Sequence, residues 1–175
     1  MKNKYIFRQI KQEEIDGLLL MIKDRMKWMD EKGIKQWNVT KYDEVYPWEY
    51  FEEKRLKEEV MVLEDSKRKI IVSAAVLRHE DERWAKENVF IDDFREDEGL
   101  YLHNFLTRVG EKGIGSYFLE LCEKYTYDMG RKYMRLDSAT DNDVLKKYYD
   151  IRGYVEAGKC IDGLYEGILK QKKIK

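Results

Sequence analysis

The stretch Leu100-Tyr101-Leu102-His103-Asn104-Phe105-Leu106-Thr107, followed after Arg108-Val109 by Gly110-Glu111-Lys112-Gly113-Ile114-Gly115, decides how this chain is read. The first eight residues are strand-like. The glycines then turn the chain into a helical pattern that carries Ile114, Tyr117, Phe118, Leu121, Tyr125 and Met129 on one face. A helix origin leaves backbone N–H groups without partners and holds the positive end of the helix dipole. Glycines there let an anion approach the main chain closely. Strand, glycine turn and helix together make a phosphate site, although glycines also mark ordinary turns and that plainer reading stays open. A Walker loop is excluded, because Gly115 is followed by Ser116-Tyr117 and not by Lys and Ser or Thr. A dinucleotide fingerprint is excluded too, because the spacing is GxxGxG and falls late in the chain.

Outward from this segment, strands and helices interleave. Upstream, residues 5–10 read as a strand. A long helix follows with Ile15, Leu18, Leu19, Ile22, Met26 and Met29 on one face and Gly33 as its stop. Pro47, the single proline, opens a further helix that directs Phe51 and Leu56 inward. Residues 60–63 and 70–77 read as strands joined by the turn 64–68. The polar, acidic segment 78–98 is too long for a simple hairpin, and long loops in compact domains are often functional. Downstream, Gly130 ends the helix and residues 132–138 form a strand. Residues 141–151 form a short helix broken by Gly153, and strands at 154–159 and 164–169 close the chain. This order predicts an α/β or α+β protein around one mixed sheet.

Composition narrows the function. A chain of 175 residues holds one domain with a real core, and 43% apolar with 13% aromatic residues argues for folding. The net charge of −1 gives no general attraction to nucleic acid or to an anionic membrane. The basic end, Lys170-Gln171-Lys172-Lys173-Ile174-Lys175, reads as a solvated tail. Cys122 and Cys160, the two cysteines, form no CxxC pair, so no metal is expected, and Cys122 falls on an apolar helix face as a small core residue. Met1-Lys2-Asn3-Lys4-Tyr5 lacks an apolar signal core, and no apolar run approaches a membrane span. The expectation is a soluble, cytoplasmic protein with reduced thiols.

The glycine turn resembles the (Gln/Arg)-x-x-Gly-x-(Gly/Ala) motif of the GNAT N-acetyltransferases. The resemblance continues on both sides of it. Tyr101-Leu102-His103 is similar to the start of the family's fourth strand, and Arg135-Leu136-Asp137 to its fifth. Asn142-Asp143-Val144-Leu145-Lys146-Lys147-Tyr148-Tyr149 with Gly153-Tyr154 is similar to the pattern N-x-x-(A/L)-x-x-(F/L/Y)-Y-x-x-x-G-(F/Y). Gly33-Ile34-Lys35-Gln36-Trp37 looks like a segment common in bacterial members. The motifs keep their order over almost the whole chain. Two departures stand out. Gly110 occupies the Gln/Arg position, and the loop between Thr107 and Gly113 is shorter than usual. Gly110 removes a long side chain but not the backbone donors, and Arg108 and Lys112 are each either a nearby source of charge or a solvated side chain.

The resemblance implies one acyl-CoA N-acetyltransferase domain over residues 1–175, of the bacterial small-molecule branch. Its fold would be a central mixed, mostly antiparallel, splayed sheet flanked by helices. It implies acetyl-CoA as cofactor, a small-molecule or peptide amine as partner, and a homodimer as an assembly. The pantetheine would pair with the backbone of Phe105, Leu106 and Thr107. The pyrophosphate would meet the loop from Gly110, Glu111 and Lys112 through Gly113, Ile114, Gly115 and Ser116. Asn142 would touch the cofactor or cap its helix. In the implied reaction a neutral amine attacks the thioester, so the amine must lose a proton and the thiolate needs a donor.

Tyr149 falls where the family places that donor; packing with Tyr148 is its plainer reading. His103 is the candidate base, its unperturbed pKa suiting neutral pH, with Glu98 second and a satisfied structural histidine as the alternative. Strand alternation would put Tyr101, His103 and Phe105 on one face and Leu102, Asn104 and Leu106 on the other. His79 has no expected chemical role. Gln36, Trp37, Trp84 and residues 81–98 are candidates for the acceptor pocket. Two rival readings remain: a non-catalytic acyl-CoA-binding module of the same fold, and an interaction domain without cofactor.

Overall fold

The chain is described here by a computed structural model covering residues 4–163 and 165–174. Met1, Lys2, Asn3, Leu164 and Lys175 lie outside the described residues, and with them the start of the N-terminal segment, Leu164 of the last expected strand and the final lysine of the basic tail. Seven strands form one sheet: β1 (Tyr5–Gln9), β2 (Val60–Asp65), β3 (Ile70–Arg78), β4 (Gly99–Thr107), β5 (Tyr133–Ala139), β6 (Val155–Asp162) and β7 (Tyr165–Lys173), in the order β1-β2-β3-β4-β5-β7-β6. Pairing is antiparallel for β1–β2, β2–β3, β5–β7 and β6–β7, and parallel for β4–β5 from Gly99↔Tyr133 to Leu102↔Leu136. The helices are α1 (Ile15–Lys32), α2 (Tyr42–Val45), α3 (Trp48–Leu56), α4 (Ile114–Asp128) and α5 (Asp143–Asp150). The expected α/β class and mostly antiparallel open sheet are therefore present. Among the described residues no helix is long and apolar enough to cross a membrane.

The chain divides into two compact units, Met1–Val76 with Asn104–Leu121, and Leu77–His103 with Cys122–Lys175. In the first, α1 lays Ile15, Leu18, Met21 and Ile22 on Val60 and Val62 of β2, Ala74 and Val76 of β3, Leu106 of β4 and Phe51 of α3. Gly33 ends α1 in a left-handed conformation, φ +67°, with the Gly33 and Ile34 amides bonded to the Asp30 and Met29 carbonyls. Only glycine adopts that geometry without a Cβ penalty. Pro47 is the N-cap of α3 as its fixed φ predicts, but Leu56 is 68% exposed. Phe51 and Leu56 are five residues apart, about 140° around a helix of 3.6 residues per turn, so burying one turns the other outward. On α4, Ile114 and Phe118 are buried as expected, and Phe118 meets Phe7 of β1 with ring centroids 5.8 Å apart.

In the second unit Trp84, Tyr101, Ala157, Cys160 and Leu169 form the core. The segment 78–98 is not a bare loop. It winds through three 3₁₀ turns, Glu82–Trp84, Lys86–Asn88 and Glu96–Glu98, and Val89 bridges Gly158 of β6. Arg135 of β5 is buried in the same core. Its guanidinium donates to the Tyr101 hydroxyl at 2.9 Å and the Arg95 carbonyl at 2.9 Å, and lies 4.4 Å from the Phe94 ring centroid. A planar, weakly hydrated guanidinium suits such a cage better than an ammonium would. Cys122 is buried as expected; Met129, at 44% exposed, is not on a buried face, because α4 ends at Asp128 and Gly130 turns the chain.

Candidate active site

In the first unit, β4 ends against β3. The Arg108 amide and its Nε donate to the Val72 and Ile71 carbonyls, each at 2.8 Å. The chain then turns through Gly110 (φ +91°), with the Glu111 amide on the Arg108 carbonyl, and through Gly113 (φ +73°) into α4 at Ile114. Both positive φ values require glycine's freedom, and a side-chain carbon added at either would meet nothing within 4 Å. The loop's one carboxylate, Glu111, is held by Arg68 at 2.7 Å, which offsets its repulsion of an anion. Gly110, Lys112 and Gly113 are exposed, Gly115 and Ser116 half-buried, and Ile114 anchors the helix start in the core. Arg108, expected as a source of charge for the loop, has its Nε committed to β3.

The three β4 residues ahead of the loop are also placed. Phe105 stacks on Phe118 of α4, centroids 5.8 Å apart at 13°. Leu106 is core, and its carbonyl accepts from Ser73 Oγ at 2.7 Å. The Thr107 carbonyl accepts from Arg25 Nη2 of α1. Arg25, which no sequence signal singled out, is half-buried and has no carboxylate partner among the described residues; burial pulls its pKa below the ordinary guanidinium value. Asn104 has a left-handed backbone, φ +50°, held through its side chain by the hydroxyls of Tyr42 and Tyr50. That conformation breaks the pleat, so the strict alternation expected along this strand does not run through Asn104.

In the second unit, Asn142 caps α5, its Oδ1 accepting from the Leu145 amide at 2.9 Å. Tyr149 lies on the last turn, buried edge-on between Tyr148 and Tyr154, with centroids 5.3 and 5.5 Å away. Burial, then the neighbouring Tyr148 and Asp137, raise its phenol pKa well above the usual tyrosine range. Asp150 at the helix end accepts from the buried Lys170 ammonium of β7 at 2.6 Å and fixes that turn.

His103 ends the unit's share of β4. Its Nε2 lies 2.8 Å from Asp81 Oδ2, while Asp81 Oδ1 accepts from the Arg83 amide at 3.0 Å. Asp137 of β5 accepts from the Tyr165 hydroxyl and lies 3.4 Å from Arg83 Nη1. Ligand-type atoms of Asp81, His103 and Asp137 fall within 4.8 Å of one another, and each residue already has a protein partner. Asp81 was expected only as the first residue of the acceptor-pocket segment 81–98, not as the partner of His103. Its one local signal was its place ahead of Glu82-Arg83-Trp84, where it caps the turn; nothing local ties it to a histidine 22 positions away.

The remaining expectations divide. Trp84 is 1% exposed and packs edge-on to Tyr101, so it is core and not a pocket wall. Glu98 is paired with Lys132 at 2.6 Å. His79 lies 3.4 Å from Arg131. Trp37, half-buried in the first unit, stacks on Tyr42 at 4.2 Å, and Gln36 is half-buried beside it in sequence.

This strand order and helix placement are those of the GNAT acetyltransferases; the chain has their fold. A GNAT-family acetyltransferase from Listeria monocytogenes superposes with a TM-score of 0.77 at 20% identity, covering 97% of this chain and 94% of its own. A GNAT-family acetyltransferase from Streptococcus agalactiae gives 0.73 at 20% identity over 98% and 95%. The PaiA N-acetyltransferase from Thermoplasma acidophilum, solved in complex with coenzyme A, gives 0.69 at 16% identity over 97% and 98%. At these identities the likeness is one of fold. No protein-family signature and no curated protein sequence matches the chain.

Proposed function

We propose that this chain is an acetyl-CoA-dependent N-acetyltransferase of the GNAT family that acetylates a primary amine of a small molecule or peptide. The observation that carries the reading is the exposed glycine loop at the origin of α4, on a fold whose Thermoplasma neighbour was solved with coenzyme A. The loop from Gly110 through Ser116 takes the diphosphate through main-chain amides other than that of Glu111, which is spent on the Arg108 carbonyl. Phe105, Leu106 and Thr107 take the pantetheine through the main-chain groups that Ser73 and Arg25 leave. Asn142 serves chiefly as a cap.

In the reaction the amine nitrogen bonds to the thioester carbon, the C–S bond breaks with its electron pair going to sulfur, and one amine proton is removed. His103 takes that proton, and it ends on the coenzyme A thiolate. Tyr149 donates a hydrogen bond to the developing thiolate. A tyrosine near pKa 10 and a thiol near 8.5 already make full proton transfer uphill by about 2 kcal/mol. The raised phenol of Tyr149 strengthens that argument, because it holds its proton more tightly still.

Adding acetyl-CoA at about 100 times its Kd stabilises a native state that binds it by roughly 2.7 kcal/mol, several degrees in Tm. No thermal shift at millimolar acetyl-CoA would end the proposal. Once binding is established, free-thiol release across a panel of amines identifies the acceptor. Tyr149→Phe is then expected to lower kcat about 10–100-fold with little change in acetyl-CoA affinity, since one hydrogen bond to a charged group is worth about 1.5–3 kcal/mol. A variant that turns over like the parent removes Tyr149 from the chemistry. A non-catalytic acyl-CoA-binding module would instead show the thermal shift and release no thiol with any amine.

A further inference from the structure

We infer that Asp81, carried by the segment between β3 and β4, is the positioning residue that fixes the ring and tautomer of His103, so that Nδ1 is the nitrogen that accepts the amine proton. The inference rests on the acetyltransferase reading above for the proton it moves, but the geometry of the pair stands apart from that reading.

Asp81 is 2% exposed and His103 is 8% exposed, and the 2.8 Å contact joins Asp81 Oδ2 to His103 Nε2. A buried carboxylate is costly unless its oxygens are satisfied. Here Oδ1 accepts the Arg83 amide at 3.0 Å, and Arg78 Nη1 lies 3.9 Å away. Against the cost of burial, the bond to His103, the Arg83 amide and the Arg78 charge keep Asp81 below its ordinary pKa, so it is the anion at neutral pH. An anionic carboxylate only accepts, so the proton of the shared bond sits on Nε2. The neutral imidazole must then carry its lone pair on Nδ1, which has no partner among the described residues. When Nδ1 takes a proton, the Asp81 carboxylate stabilises the imidazolium. The other charged groups of this cluster are Asp137, Arg83 and Arg78, with Tyr165 and Cys160 as further titratable neighbours. Asp137 is itself engaged by Arg83 and the Tyr165 hydroxyl, which leaves Asp81 as the carboxylate committed to His103.

Nitrogen-15 NMR of histidine-labelled protein tests this directly, because the chain has two histidines and His103→Gln assigns the signals. The parent is expected to show His103 as the Nε2-protonated tautomer when neutral. In Asp81→Asn the carboxamide can donate as well as accept, so the single tautomer is expected to be lost and the neutral ring to populate both. With an amine found by thiol release, kcat/KM of Asp81→Asn should fall about 10–100-fold with the Kd for acetyl-CoA unchanged. A parent His103 protonated on Nδ1 overturns the inference without any variant. So does an Asp81→Asn protein whose His103 tautomer and kcat/KM match the parent's. Failure of the acetyltransferase reading shows differently, as a protein that keeps the tautomer but binds no acetyl-CoA.

Discussion

Gly113→Asp is expected to weaken acetyl-CoA binding about 100-fold while leaving the fold intact. Gly113 has a φ of +73°, is exposed, and has no atom within 4 Å of where a Cβ would stand. The substitution therefore meets no clash. Aspartate is among the residues that visit the left-handed region, at a cost of about 1 kcal/mol. The new carboxylate would lie at the origin of α4, where the positive end of the helix dipole favours the diphosphate of the proposed complex. A like charge a few ångströms from bound phosphate opposes it by up to about 4 kcal/mol near a protein surface, and each 1.4 kcal/mol is tenfold in Kd. Calorimetric titration with acetyl-CoA measures the loss, and Gly113→Asn separates charge from backbone because it shares the conformational cost and lacks the anion. Parent-like affinity in Gly113→Asp would mean that the diphosphate does not bind at this loop.

Gly158→Ala is expected to destabilise the second unit by about 2–4 kcal/mol, roughly 10 °C in Tm for a chain of this size. A Cβ at Gly158 would stand 2.0 Å from the Asn88 carbonyl oxygen and 3.0 Å from Val89 Cα, both backbone atoms. No rotamer change relieves that clash. The segment must lift, losing the Val89–Gly158 bridge and the bond from the Phe90 amide to the Ala157 carbonyl. Val89 and Phe94 also cover the core at Trp84, so the loss spreads into apolar packing. Differential scanning calorimetry reads the shift, and limited proteolysis between residues 85 and 95 locates it. A variant that melts with the parent and resists cleavage there would show that the segment does not lean on β6.

What could be read in advance follows the range of the interaction involved. Gly33, Gly110, Gly113 and Gly130 announced chain reversals because a positive φ is a property of one residue. Pro47 and Asn142 announced helix starts because capping reaches no further than one turn. The β2–β3 hairpin and the helical face of α1 followed from apolar period alone. The resemblance of residues 101–115 and 142–154 to one family named the fold that the structure shows.

Leu56, Trp84 and Asp81 needed the tertiary structure. Leu56 is apolar, but α3 offers the core one narrow stripe and Phe51 already fills it. Trp84 sits in a polar, acidic run, where nothing local shows that Tyr101 and Leu169 from distant strands will close over it. The left-handed turn of Asn104 is fixed by hydroxyls from two other helices. The sequence by itself determined the glycine turns and the strands and longer helices, because these depend on neighbours within a few residues, though not α2 or the 3₁₀ turns of 78–98. Tertiary structure alone decided that His103 meets Asp81, that Glu111 is held by Arg68, and that Arg25 reaches the end of β4, because side-chain partners are set by how strands and helices pack and carry no local signature.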